Sequence, residues 1–418
     1  MRSNEFSIIL FQNIGLFIGI LLMLSILYIP LFKKLCSNVL DPICLTLVSS
    51  IFANVIPILL TILGYISYSI FIYIIICESL FFLGFWNVGR YKFSYGKVYN
   101  ISITYERGGY DCYLLFSIVT VLSNLITYVK FGIPLFNESR FTTYTDSGGW
   151  GILGKISDIT NWYIVIYSFY LLYKKQHAVL SYIMLFLVIA FSFLGGAKSF
   201  ILLILNGFFV FYYIFLGRKY DFWKHKRILF FVAITPIATL FFFKRGSLGE
   251  LLSNYVWRWV ANGDVYWMAF PYNMVDDVTI KHPFVYLFSR ILASFRLLPY
   301  NLVDNVIGNQ LQSIVMPFME GEAGGPNTRV PVLCWCLFKQ SGLILAYLIG
   351  LSCSLILKFA AKLKKKGIIG CILFGYVYRS IVYAITDPVY ATTFVFNFVI
   401  LLLSISFICS ISKRNNYG

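Results

Sequence analysis

Apolar runs of about 20 residues follow one another along most of this chain, and that length is what one helix needs to cross the roughly 30 Å hydrocarbon layer of a bilayer. Eleven can be read, at approximately 8–32, 43–63, 64–86, 111–132, 159–174, 178–195, 199–217, 228–243, 341–357, 368–386 and 390–411. Hydrocarbon offers a backbone no water, so each run must close its own hydrogen bonds as a helix. The expected fold class is therefore all-α: one polytopic transmembrane helix bundle over residues 1–418, with about 11 spans and short amphipathic helices in a large external loop. Composition agrees, because 59% hydrophobic and 12% charged residues leave too little polar surface to cover a soluble core. The second and third runs are nearly fused, with Gly64 as their turn.

Orientation follows from where Lys and Arg gather, since cytoplasmic ends of spans retain them. The turns holding Lys33 and Lys34, Arg90 to Arg107, Lys174 and Lys175, Arg218 to Arg227, Lys358 to Lys366, and Lys413 and Arg414 carry 20 basic residues against four acidic ones. That side is read as cytoplasmic, with the C-terminus on it and, for eleven spans, the N-terminus outside. The net charge of +17 is then a topology signal that favours contact with anionic membrane lipids. Nucleic acid is excluded as a partner, because the cations sit in separate short turns and form no continuous face. The first run is too long for a cleavable signal peptide and lacks a small-residue cleavage site. No C-x-x-C occurs among the nine cysteines, and His177, His225 and His282 form no metal cluster, so neither a metal nor another cofactor is expected.

Two long external segments, 133–158 and 244–340, are where function should sit. They hold ten basic residues on a face that normally sheds them, which an anionic ligand at the outer membrane surface would explain. Residues 284–298 place Phe284, Leu287, Phe288, Ile291, Leu292 and Phe295 on one helical face and Tyr286, Ser289, Arg290 and Arg296 on the other. Such a helix either lies flat with its arginines reaching headgroups, or turns Arg290 and Arg296 toward a cleft to grip a diphosphate with planar, permanently charged guanidinium groups. EGEAGGPNTR at 320–329 is a glycine-rich turn ending in Arg329; it is no Walker A loop. RFTTYTDSGGWG at 140–151 suits sugar stacking or any exposed loop, and Lys198 in GGAKS caps a helical hairpin or anchors it to headgroups. Inside the spans lie two ionisable residues, Glu78 and Arg379, which either pair with each other or leave Arg379 pointing into the external cleft.

Taken together, these residues resemble the bacterial O-antigen and capsule repeat-unit polymerases. Three patches carry the resemblance: Arg140 followed by ten residues and Gly151, the GGAKS turn with Lys198 where that family has Arg, and GGPNTRVPV leading through Lys339 into a late span. A second Arg-x10-Gly is missing, since Asn301 stands ten residues after Arg290. The resemblance implies a glycosyltransferase of the inner membrane with its active site on the periplasmic side, undecaprenyl-diphosphate-linked oligosaccharides as substrates, and a chain-length regulator protein as partner. Arg290 and Arg296 would then stabilise the leaving diphosphate, Asp304 or Glu320 would accept the hydroxyl proton, and Arg140, Lys198, Arg329 and Arg379 would bind substrate. Two rivals are a lipid-linked oligosaccharide flippase or transporter, which should show internal repeats, and an O-antigen ligase, whose histidine-containing loop motif solitary His282 does not match.

Overall fold

A computed structural model describes residues 3–38, 40–88, 103–136, 151–195, 200–217, 260–298, 305–317 and 325–414. Every regular element among them is helical. In chain order these are α1 (Ser3–Gln12), α2 (Ile14–Leu27), α3 (Ile29–Leu35), α4 (Pro42–Ile62), α5 (Tyr68–Val88), α6 (Ile103–Phe131), α7 (Ile152–Lys174), α8 (Ala178–Leu194) and α9 (Phe200–Phe208), which runs into a π-helical turn at Phe209–Phe215. The second half contributes α10 (Asp264–Ala269), α11 (Pro283–Ser294), α12 (Ile307–Val315), α13 (Val330–Phe338), α14 (Gly342–Ala360), α15 (Gly367–Thr386) and α16 (Pro388–Arg414).

Five stretches are long and apolar enough to cross a bilayer, or six if α1 and α2, bent by 76° at Asn13, count as one. The chain is thus an α-helical membrane protein, but eleven spans are not reached among the described residues. Helix α7 shows why. Ile159–Leu171 is buried almost all round, so it can hold Thr160, Asn161 and Ser168 without exposing them to lipid. Helices α8 and α9 are short, and the expected run at 228–243 lies outside the described residues. Gly64 does make the α4–α5 turn, with φ +80°, a conformation that costs glycine little.

The chain divides into two compact units. The first comprises Met1–Lys92, Ile237–Lys358 and Ser380–Thr393; the second comprises Phe93–Pro236, Phe359–Arg379 and Phe394–Gly418. In the first, α4 starts at Asp41, whose carboxylate accepts the backbone N–H of Ile43 at 3.0 Å and of Ser37 at 2.8 Å. Pro57 within α4 has no N–H to give the Ala53 carbonyl. Gly263 packs there so closely that a Cβ would lie 2.7 Å from Ala53 O. Val260, Gly263 and Val265 through Phe270 are consequently buried about halfway along α4, although the sequence places them in an external segment.

In the second unit α7 is central and three of its polar side chains are paired: Thr120 donates to Thr160 at 2.6 Å, Tyr113 and Ser168 share a bond of 3.0 Å, and Trp162 Nε1 donates to Ile372 O at 3.0 Å. Buried hydroxyls without such partners would each cost about 1–3 kcal/mol.

Candidate functional site

The polar groups of the first unit converge on two joined positions, one inside the span α5 and one at the α15–α16 turn. Halfway along α5, Glu78 accepts hydrogen bonds from Tyr266 Oη on Oε1 at 2.9 Å, and from Asn54 Nδ2 and, at 3.4 Å, Tyr28 Oη on Oε2. Asn54 Nδ2 also donates to Tyr28 Oη at 2.7 Å. A carboxylate in a span costs on the order of 3 kcal/mol to insert, and this set of donors offsets that cost. Arg329 stands across a void of about 10 Å³ that Glu78 and Ser50 also line, roughly the space of one water.

Arg329 itself is 2% exposed. Its Nε donates to Asn262 O at 2.8 Å, one terminal nitrogen to Ser50 Oγ at 3.2 Å and the other to Ser49 O at 3.4 Å. Its backbone N–H donates to Thr386 O at 3.0 Å, with φ at +46°. The planar fork therefore braces α4 and the 261–263 turn against the end of α15, and its guanidinium lies inside the protein instead of at a cleft. Gly325 is committed as well, its N–H donating to Asn309 Oδ1 at 2.9 Å.

The second position lies one residue beyond. Asp387 accepts the backbone N–H of Tyr390 at 2.9 Å and caps α16. Burial pushes its carboxyl up from the ordinary range, while the N–H groups of Tyr390 and Thr328 and the charge of Arg290 oppose that rise. Arg290 reaches this place because α11 sits the other way round from an interfacial helix that faces its cations to water. Tyr286, Ser289 and Ala293 are buried, whereas Phe284 and Phe288 are 70% and 56% exposed. Tyr286 Oη accepts the N–H of Ile307, which fixes that face against α12. Arg290 is half-buried on the inward side, and Arg296, with φ at +57° just past the helix, is exposed.

Removing the Asp387 carboxylate tests this capping role. Asp387→Ala should lose about 0.5–2 kcal/mol in thermal unfolding, and Asp387→Asn, which can still cap, should lose less. Equal losses in the two would show that the cap contributes nothing.

In the second unit Arg379 pairs with Asp158 at 3.0 Å and lies between the rings of Trp162 and Phe394, 5.6 and 5.4 Å from their centroids. Asp158 thus takes the place that the sequence left open for Glu78. Arg290 and Arg329 belong to the same unit, where the charge of Arg290 and the N–H of Thr328, the neighbour of Arg329, both act on Asp387. Arg140, Lys198, Asp304 and Glu320 lie outside the described residues. Sequence reasoning flagged Glu78 and Arg379 as costly charges but missed Tyr28, Asn54, Tyr266 and Asp387, which carry no signal until helices far apart in the chain pack together. Comparison of the chain with protein-family models, curated proteins and solved structures finds no match.

Proposed function

We propose that this membrane protein is a surface-polysaccharide polymerase, joining undecaprenyl-diphosphate-linked oligosaccharide repeat units by glycosyl transfer on the periplasmic face of a bacterial inner membrane. The observation that carries the reading is Arg290, turned inward from an otherwise lipid-suited helix toward Asp387 and the Thr328–Arg329 turn. A cation in that place suits a lipid diphosphate whose charge grows as the bond from the sugar's anomeric carbon to the phosphate oxygen breaks, and preorganised cations there are worth several kcal/mol. An acceptor hydroxyl attacks the anomeric carbon, its proton passes to a carboxylate, and the lipid diphosphate departs. Arg290 and Arg296 grip the diphosphate, while Arg329 positions the turn from behind. Arg140, Lys198 and Arg379 stay in the substrate-binding set, and Asp304 and Glu320 remain the bases proposed.

Glu78, a carboxylate held halfway along a span beside Arg329, is the observation that favours a lipid-linked oligosaccharide flippase instead. One experiment separates the readings. Deleting the gene and resolving surface polysaccharide on a gel should leave lipid core capped by a single repeat unit; core with no repeat unit is the outcome for a flippase or ligase. With protein level checked, Arg290→Ala and Arg296→Ala should each shorten or abolish the polymer, and unchanged chain lengths in both would refute the assignment of these cations.

A further inference from the structure

A cleft of about 600 Å³ in the first unit is lined by α2 and α3 on one side, α5 on the other, and Asn54, Pro57 and Ile58 of α4 at its floor. On α5 the lining residues Phe71, Ile75, Glu78, Phe82 and Trp86 recur every three or four positions, so one stripe of the helix faces the cleft over its length. Fifteen residues separate Phe71 from Trp86, about 22 Å of helix, which suits one extended hydrocarbon chain. Glu78 interrupts the apolar wall, but both its oxygens are already bonded to Tyr28, Asn54 and Tyr266.

The two ends differ in charge. At one end Lys34 Nζ lies over the Trp86 ring, with Lys33 in the same last turn of α3. At the other, near Phe71 and the Gly64 turn, residues 60–75 contain no charged side chain. An apolar trough with cations at one mouth is complementary to a molecule with a long chain and an anionic head, and both lysines are exposed residues at that mouth.

We propose that this cleft binds one anionic phospholipid, with its phosphate at Lys33 and Lys34 and an acyl chain along the Phe71–Trp86 stripe of α5. Trp86 marks the level where chain gives way to headgroup, as amphipathic indole rings do at membrane interfaces. The site is independent of the polymerase reading, since it involves none of the cations assigned to the diphosphate.

The test uses the full chain reconstituted in phosphatidylcholine bilayers doped with phosphatidylglycerol, extracted in detergent, with co-purifying lipid measured by mass spectrometry. Wild type should keep phosphatidylglycerol in preference to phosphatidylcholine. Lys33→Gln with Lys34→Gln should lower its retention about tenfold or more, at about 1 kcal/mol per lysine, and Lys33→Arg with Lys34→Arg should restore it. Ser79→Trp, which fills the cleft, should lower retention with both lysines present. A second measurement needs no change to the lysines: brominated phosphatidylglycerol should quench a share of the tryptophan emission that Trp86→Phe removes. Equal retention by the Gln variant, equal retention of phosphatidylcholine, a polyprenyl phosphate recovered in place of phosphatidylglycerol, or quenching indifferent to Trp86 would each overturn the assignment.

Discussion

Arg329→Met is expected to destabilise the protein by about 3–5 kcal/mol, the range seen when one member of a buried charged set is removed and the rest are left uncompensated. Three acceptors, Ser49 O, Ser50 Oγ and Asn262 O, lose their donor, and the Glu78 carboxylate loses the positive charge across the small void. Arg329→Lys should recover little, because one ammonium cannot replace a flat fork that serves acceptors on two segments. Adding Glu78→Gln to Arg329→Met should return part of the loss, since it removes the stranded negative charge. Thermal unfolding in detergent of the parent, Arg329→Met, Glu78→Gln and the double variant closes the cycle. An Arg329→Met protein within about 1 kcal/mol of the parent, well below the buried-charge range, would sink the bracing role.

The second large effect is expected where α5 crosses α14. A Cβ on Gly350 would lie 2.1 Å from Phe81 O, and one on Gly84 would lie 2.4 Å from Tyr347 O. Both obstacles are backbone, so neither can swing aside and the helices must separate. Without a strong hydrophobic drive between helices in lipid, such close backbone contact carries much of the association. Gly350→Leu should therefore cost at least the ~1–3 kcal/mol of an overpacked core, and Gly350→Ala somewhat less. Gly84→Ala combined with Gly350→Ala should cost less than the two single changes added together, because the first already opens the crossing that the second obstructs. Strict additivity in unfolding experiments would place the two glycines in separate contacts.

Much of the helical fold was legible in the residues. The runs at 43–63, 64–86, 178–195, 368–386 and 390–411 correspond to α4, α5, α8, α15 and α16, because length and hydropathy alone dictate helices in hydrocarbon. Pattern was less informative for α11. Its periodicity gave the two faces correctly, but an amphipathic pattern does not say which face meets the protein, and in lipid the apolar face can turn outward. The same limit hid the burial of Val260 and of Val265 through Phe270, since the Asn262-Gly263-Asp264 turn beside them reads as loop until Gly263 meets the carbonyl to which Pro57 has no N–H to give.

By itself, then, the sequence determined that this is a helical membrane protein and which two of its charges, Glu78 and Arg379, must be sheltered. That follows because the cost of dehydrating a backbone or a charge is local and depends only on residue type. Which groups do the sheltering was decided only by tertiary structure. Tyr266 lies 188 residues from Glu78, and Asp158 lies 221 from Arg379. Hydrogen bonds act over about 3 Å in space, and no local pattern along the chain encodes which distant helices will meet.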